Sequence, residues 1–208
     1  MPVDRLNRFT LDQVRAAIEA PRVLNEEHAK PLGEPVAYAP LPGKAAAVLA
    51  ALFEEDGEAR VILTRRASHM RSHTHEVSFP GGRIEEGETA VEAALREAHE
   101  EIALDSSAIE IVGTLTPIST LAATSGITPI VGFLPTRPDL KANPDEVEFV
   151  FDVSLATLVS DGIFQEERWD TPWGDDRQIN FFYLPHDIVW GATARVLREL
   201  LELVTNSQ

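Results

Sequence analysis

The sequence predicts an α/β domain in which helices cover a mixed β-sheet. Amphipathic helical segments and short apolar strands are interleaved without the steady strand–helix–strand rhythm of a doubly wound fold. The length of 208 residues, with 44% hydrophobic and 25% charged residues, suits one globular domain with a sizeable core. No internal repeat or low-complexity tract points to a second unit. The expected domain spans residues 1–208, with a helix and a proline-rich connector over 1–43 and the core over 45–204.

Thr10 is placed to cap a short helix whose Leu11, Val14 and Ile18 share one face and which ends before Pro21. Pro31, Pro35, Pro40 and Pro42 make Pro31 to Gly43 an extended connector. Ala45 to Phe53 reads as a buried strand, Glu54 to Glu58 as a turn around Gly57, and Ala59 to Thr64 as the returning strand of a hairpin. Thr89 to Ile102 has helical periodicity. Further strands are expected over Ile109 to Leu115, Thr128 to Leu134, Glu146 to Phe151 and Gln178 to Leu184, with a loop between Pro117 and Pro129. A closing helix is expected over Ile188 to Val204, with Trp190 packing it on the core. Trp169 and Trp173 are read either as stacking on a base or as covering a core edge.

The chain has 34 acidic residues against 18 Lys and Arg, a formal charge of -16 that would repel a nucleic-acid backbone. It has no cysteine, which excludes disulfides, thiolate metal sites and thiol catalysis. The longest apolar run, Ala45 to Phe53, is half what a membrane span needs, and the first residues lack the apolar core of a signal peptide. A soluble, cytoplasmic protein is expected. Against this acidic background, residues 60–83 gather Arg60, Arg65, Arg66, Arg71 and Arg83. His69, His73 and His75 lie in the same stretch, with Glu76 as its only acid.

On a helix over Thr89 to Ile102, Val91, Ala94, Leu95, Ala98 and Ile102 form a core-facing seam. Glu97, Glu100 and Glu101 are then expected on the flank away from it. Their i, i+3, i+4 spacing brings three carboxylates onto neighbouring surface, where mutual repulsion raises their proton affinities. Taken alone, such a cluster reads first as a solvated helix face. A divalent cation would relieve the repulsion, and hard oxygen ligands select magnesium, manganese or calcium.

The string from Gly82 to Leu104, GRIEEGETAVEAALREAHEEIAL, resembles the Nudix hydrolase signature. Gly82, Glu88, Arg96, Glu97, Ala98, Glu100, Glu101 and Leu104 fill its slots, and Ala103 stands where the signature has glycine. That glycine suits a helix stop in the left-handed conformation, which costs another residue about 1–2 kcal/mol. The resemblance implies an α/β/α sandwich that hydrolyses a nucleoside diphosphate linked to another group, with Mg2+ or Mn2+ as cofactor. It places the metal on Glu97, Glu100, Glu101 and the Gly82 carbonyl, and gives Glu88 and Arg96 supporting roles, Glu88 in the loop and Arg96 in orienting carboxylates. Counted along a continuous helix, Glu88 and Arg96 are two turns apart, beyond the usual i, i+4 pairing. The general base stays open among Glu100, Glu101 and Glu146.

Residues 62–82, ILTRRASHMRSHTHEVSFPGG, resemble the motif that precedes the Nudix signature in the coenzyme A pyrophosphatase branch, LLTxRSxxLRxHxGQVxFPGG. The likeness implies phosphate contacts from Arg66 and Arg71, because arginine forks bind phosphates bidentately, with His73 donating a hydrogen bond or positioning the loop. It implies hydrolysis of coenzyme A or a derivative to 3',5'-ADP and 4'-phosphopantetheine. His75 occupies the branch's glycine and Glu76 its glutamine. Pro144-Asp-Glu-Val147 and Trp190-Gly-Ala-Thr193 resemble later segments of the same branch, so the likeness spans most of residues 45–204. An ADP-ribose or nucleotide-sugar pyrophosphatase is the alternative enzyme, and a nucleotide-binding regulator that does not cleave is the alternative class. The expected partner is a small-molecule nucleotide, not nucleic acid or membrane. Family members are often homodimers, though no interface signal is readable here.

Overall fold

The computed structural model describes residues 8–20, 45–69, 76–119, 126–171 and 174–206. The expected connector over Pro31 to Gly43 and Trp173 lie outside them. The first helix, α1 (Leu11–Glu19), begins at Thr10 with a capping box: the Thr10 hydroxyl accepts from Gln13 N and the Gln13 side chain accepts from Thr10 N. Strands β1 (Ala46–Glu55) and β2 (Glu58–Arg66) form the expected hairpin. Its two turn residues, Asp56 and Gly57, have φ of 55° and 75°, the positive values that a tight two-residue hairpin needs.

The hairpin then opens. Strands β1 and β2 pair only at Leu52–Glu55 with Glu58–Val61, and beyond this point they diverge. Residues 77–83 enter the wedge, with β3 (Val77–Ser78) on β2 and β4 (Gly81–Arg83) on β1. This places the end of the sequence FPGG between the two splayed strands, where Pro80 O accepts from Leu49 N at 2.8 Å. Strands β5 (Glu110–Thr114), β6 (Ile118–Ser119) and β7 (Gly126–Phe133) continue the sheet on the far side of β1, and β8 (Val147–Ser154) pairs with β2. Only β1 and β7 run parallel; the other pairings are antiparallel, so the sheet is mixed as expected.

The expected loop from Pro117 to Pro129 is shorter than predicted, because β6 and β7 occupy both of its ends. Pro129 lies inside β7, opposite Val48. Its carbonyl accepts from Leu115 N, so the side on which proline lacks an N–H is where β5 has ended and β6 has not begun.

Helix α2 (Ala90–Ile102) covers one face of the sheet. Ala93, Ala94 and Ala98 meet Ala47, Leu49 and Ala51 of β1, and the small side chains on both sides allow a close approach. On the opposite face, Ala50 and Leu52 pack with Val14 of α1 and with Leu197, Leu200 and Val204 of α4 (Gly191–Asn206). The result is the expected α/β/α arrangement. A short helix, α3 (Leu155–Leu158), follows β8, and a second antiparallel sheet is built from β9 (Phe164–Thr171), β10 (Gly174–Tyr183) and β11 (Ile188–Trp190). The closing helix therefore starts at Gly191, after a strand that the helical reading of Ile188 to Val204 absorbed. The strand alternation turns Val189 inward and leaves Trp190 42% exposed, so Trp190 does not pack α4 on the core. Trp169 is also exposed; its ring lies 5.4 Å from that of Phe181 and its Nε1 donates to Glu167 Oε2 at 2.8 Å. Among the described residues, no helix is long and apolar enough to cross a membrane.

Helix α2 ends at Ala103, which adopts the left-handed conformation with φ 55° and ψ 30°. Ala103→Gly removes the Cβ penalty at this position. It is expected to stabilise the protein by about 1 kcal/mol, less if glycine loosens the unfolded chain, as read from denaturant midpoints.

Candidate active site

The acidic helix and the glycine pair meet at the wedge. Thr89 caps α2 through a capping box with Glu92, and the helix runs over β4. Its buried stripe is rotated from the expected seam. Ala93, Ala94, Ala98, Glu101 and Ile102 are buried, whereas Val91 and Leu95 are only partly so. Glu101 is therefore not on the flank away from the core, as the seam predicted, but within the buried face at 5% exposure. Its Oε2 accepts from Gly81 N at 3.1 Å. Burial drives its carboxyl pKa up to about 7, against the Gly81 N–H; Glu97 and Glu146 push in the same direction as burial and Arg66 opposes it.

Glu97 lies against Gly82. A Cβ built on Gly82 would come under 3.0 Å from the Glu97 carboxylate, so glycine is what leaves room for it. Arg96 gathers the surrounding acids: its Nη1 donates to Glu97 Oε1 at 2.9 Å and to Glu100 Oε2 at 3.1 Å, and its Nη2 donates to the Arg83 carbonyl at 3.0 Å. Arg96 Nε and Nη2 also grip Glu88 at 2.9 and 3.1 Å. The expectation that Glu88 and Arg96 stand too far apart is wrong, because it assumed both lie on the helix. Glu88 precedes the Thr89 cap, and the bend of the loop brings it back along the helix side. A third bond, from Glu85 N to Oε2 at 3.0 Å, closes that loop, and the bonds from Arg96 and Glu85 hold its carboxyl below the usual range. Replacing Arg96 by methionine leaves Glu88 and Glu97 without their shared cation. A loss of about 2 kcal/mol in folding stability is expected, read by thermal and denaturant unfolding.

Among the described residues, no three acidic or histidine side chains converge as a closed ligand set. Glu101 faces Gly81, Glu97 faces Gly82, and Glu100 is on the solvent side of Arg96 with its side chain 52% exposed. The chemistry of these side chains nevertheless fits a hard divalent cation: carboxylate oxygens, no nitrogen or sulfur, and a glycine against Glu97. Glu146 joins the group from the loop before β8. Ala67 N donates to its carbonyl at 2.9 Å, its own N–H donates to Asn143 O at 3.1 Å, and Asn143 N bonds the Glu101 carbonyl at 2.8 Å. Glu101 and Glu146 are thus brought together, while Glu100 points away from them.

A cleft of about 440 Å³ opens from the glycine pair toward α4. Arg66 and Arg83 stand at its glycine end. Arg66 Nε is buried and has no hydrogen-bond partner among the described residues. Arg71 and His73 lie outside the described residues, as does His75. Glu76 lines the cleft, and its carbonyl accepts from Arg66 N at 3.0 Å. A larger depression of about 640 Å³ lies over Glu85, Glu88, Glu92 and Glu100, with Arg96 already committed to carboxylates; its charge disfavours an anion. Arg83 belonged to the basic stretch but was not singled out in the sequence. The contribution of Ala192, Thr193 and Val196 to the cleft required the fold to be seen.

The NUDIX domain family model matches residues 43–172. The chain is 37% identical over 141 residues to "Uncharacterized Nudix hydrolase NudL" of Escherichia fergusonii, an alignment covering 67% of this chain and 72% of that one. It is 36% identical over 156 residues to the protein of the same name from an Enterobacter species, covering 74% and 80%. Among solved structures, the MutT/nudix family protein from Enterococcus faecalis shares the fold, with a TM-score of 0.56 at 16% identity over 96% of this chain and 76% of that one. With a family model over more than half its length and relatives above one third identical, this chain belongs to the Nudix hydrolase family.

Proposed function

We propose that the protein hydrolyses the diphosphate bond of coenzyme A or an acyl-coenzyme A, giving 3',5'-ADP and 4'-phosphopantetheine or its acyl form. The observation that carries this reading is the buried, unpartnered Nε of Arg66 at the mouth of a cleft in a chain of net charge -16. A buried guanidinium N–H without an acceptor is costly, and a phosphate oxygen is an acceptor that an arginine fork binds well. The motif that supplies Arg66, together with Arg71 and His73, is the one that resembles the coenzyme A pyrophosphatase branch.

A magnesium or manganese ion held by Glu97, Glu101 and the Gly82 carbonyl, and by Glu100 once its solvent-facing side chain turns inward, would neutralise the diphosphate and lower the pKa of the attacking water. Arg66 and Arg71 bind the phosphate oxygens, and His73 orients them. A carboxylate takes the proton of the attacking water as its oxygen bonds to phosphorus, and the bridging P–O bond breaks to release the second phosphomonoester. Glu101 and Glu146 suit that task by placement, whereas Glu100 faces solvent. Arg96 and Glu88 hold the carboxylates and the loop in register.

A panel of coenzyme A, 3'-dephospho-coenzyme A, ADP-ribose and a nucleotide sugar, each with and without manganese, tests this. The expected order places coenzyme A first by at least about tenfold in kcat/KM. A preference for ADP-ribose moves the protein to the alternative enzyme, and binding without turnover of any of them removes the catalytic reading.

A further inference from the structure

The cleft has two chemically different ends. At the glycine pair it carries Arg66 and Arg83; toward α4 it is aliphatic, with the partly buried Val48, Ile127 and Ala192 on its walls and the core residues Ile118 and Val196 behind them. Its one aromatic ring among the described residues, Phe79, is 3% exposed and packed into the core cluster, so its faces are not available to stack on a base. Of its hydroxyls, Ser78 Oγ is paired with Thr64 Oγ1 at 3.2 Å, while Thr193 makes no hydrogen bond among the described residues. About 440 Å³ is within the roughly 300–1,000 Å³ of small-molecule sites.

Resting on the reading above, we infer that the α4 wall receives the aliphatic amide arm on the non-nucleotide side of the diphosphate, not the nucleotide base. Ala192 sets the bulk that the arm can have, and the Thr193 hydroxyl bonds one of its amides. A planar base gains most by stacking on an aromatic ring, which the described walls do not offer; a flexible chain gains its own binding energy by displacing water along aliphatic surface. With the diphosphate at Arg66 and the glycine pair, the arm extends toward α4 and the nucleotide is directed away from it. The segment Trp190-Gly-Ala-Thr193 thereby acquires a role in the site that its strand-to-helix position alone did not suggest.

The test compares coenzyme A with the β-methyl ester of 3'-phospho-ADP, which keeps the nucleotide and diphosphate but has no arm. The wild type is expected to prefer coenzyme A by at least about tenfold in kcat/KM. Ala192→Phe, which narrows the partly exposed wall, should raise the KM for coenzyme A about tenfold and leave the methyl ester within about twofold. Thr193→Val should act in the same direction more weakly, and decides the matter if Ala192→Phe does not fold. If the wild type cleaves both substrates equally well, or if the variants impair the methyl ester as much as coenzyme A, the inference fails while the reaction stands. If the wild type cleaves neither, the proposed function itself fails, and the inference with it.

Discussion

Glu101→Gln is expected to lower turnover by at least about 10³-fold while making the metal-free protein more stable at pH 8. The two effects have one origin. Glu101 is buried, accepts a single backbone N–H, and is surrounded by Glu97 and Glu146, so its carboxyl is held up to about 7 from an ordinary 4.5. Below pH 4.5 both the folded and unfolded chains carry the proton, and the residue has no net effect on folding. Between 4.5 and 7 the unfolded chain ionises first, so this contribution to stability is lost as pH rises, and above 7 the cost is full, up to about 3 kcal/mol. Glutamine keeps an acceptor for Gly81 N and carries no charge, so the gain should appear in thermal melts with chelator at pH 8 and vanish near pH 4. A residue placed only for structure would lose stability on substitution. Loss of activity with gain of stability marks one retained for its chemistry. A destabilised Glu101→Gln at pH 8 would contradict the buried charge described here.

The adjacent glycines should part company. At Gly81, with φ 153°, a Cβ would meet Ala47 O and the Val48 Cα under 3.0 Å, both backbone atoms of a central strand that cannot retreat. Gly81→Ala is therefore expected to cost more than about 3 kcal/mol or to prevent folding. At Gly82 the obstacle is the end of the Glu97 side chain, which can swing aside. Gly82→Ala should fold with a loss near 1 kcal/mol but displace Glu97, lowering turnover by about 10²-fold or more and weakening manganese affinity. Expression and melting curves read the first; manganese titration and kinetics read the second. Equal stabilities for the two variants would show that the wedge between β1 and β2 is not packed as described.

Much of this was legible in the sequence because local rules and tertiary packing agree there. The Thr10 cap, the Gly57 turn, the hairpin and the helix after Gly82 each had a local signal that the fold preserved. Ala103 in the left-handed conformation was anticipated from the position of a missing glycine. What failed required tertiary knowledge. The seam of α2 was placed by hydrophobicity alone, which cannot select a glutamate as a buried residue; Glu101 enters the stripe because Gly81 offers it a donor. Glu88 was counted along a helix that had not begun. The loop reading ran on to Pro129, which the strand reading of Thr128 to Leu134 already included; Pro129 lies in β7, opposite the gap between β5 and β6. Trp190 was assigned to the core by size, but the alternation of β11 gave that place to Val189. Of the substrate contacts expected from the basic stretch, Arg66 stands at the cleft, and Arg83 joins it.

Identification by mass of the products formed from coenzyme A by the wild-type protein, with manganese and with chelator, tests the central claim most directly. The expected products are 3',5'-ADP and 4'-phosphopantetheine in equal amounts with manganese, and neither with chelator. Intact coenzyme A in the presence of manganese, or the same products with the metal removed, would contradict it.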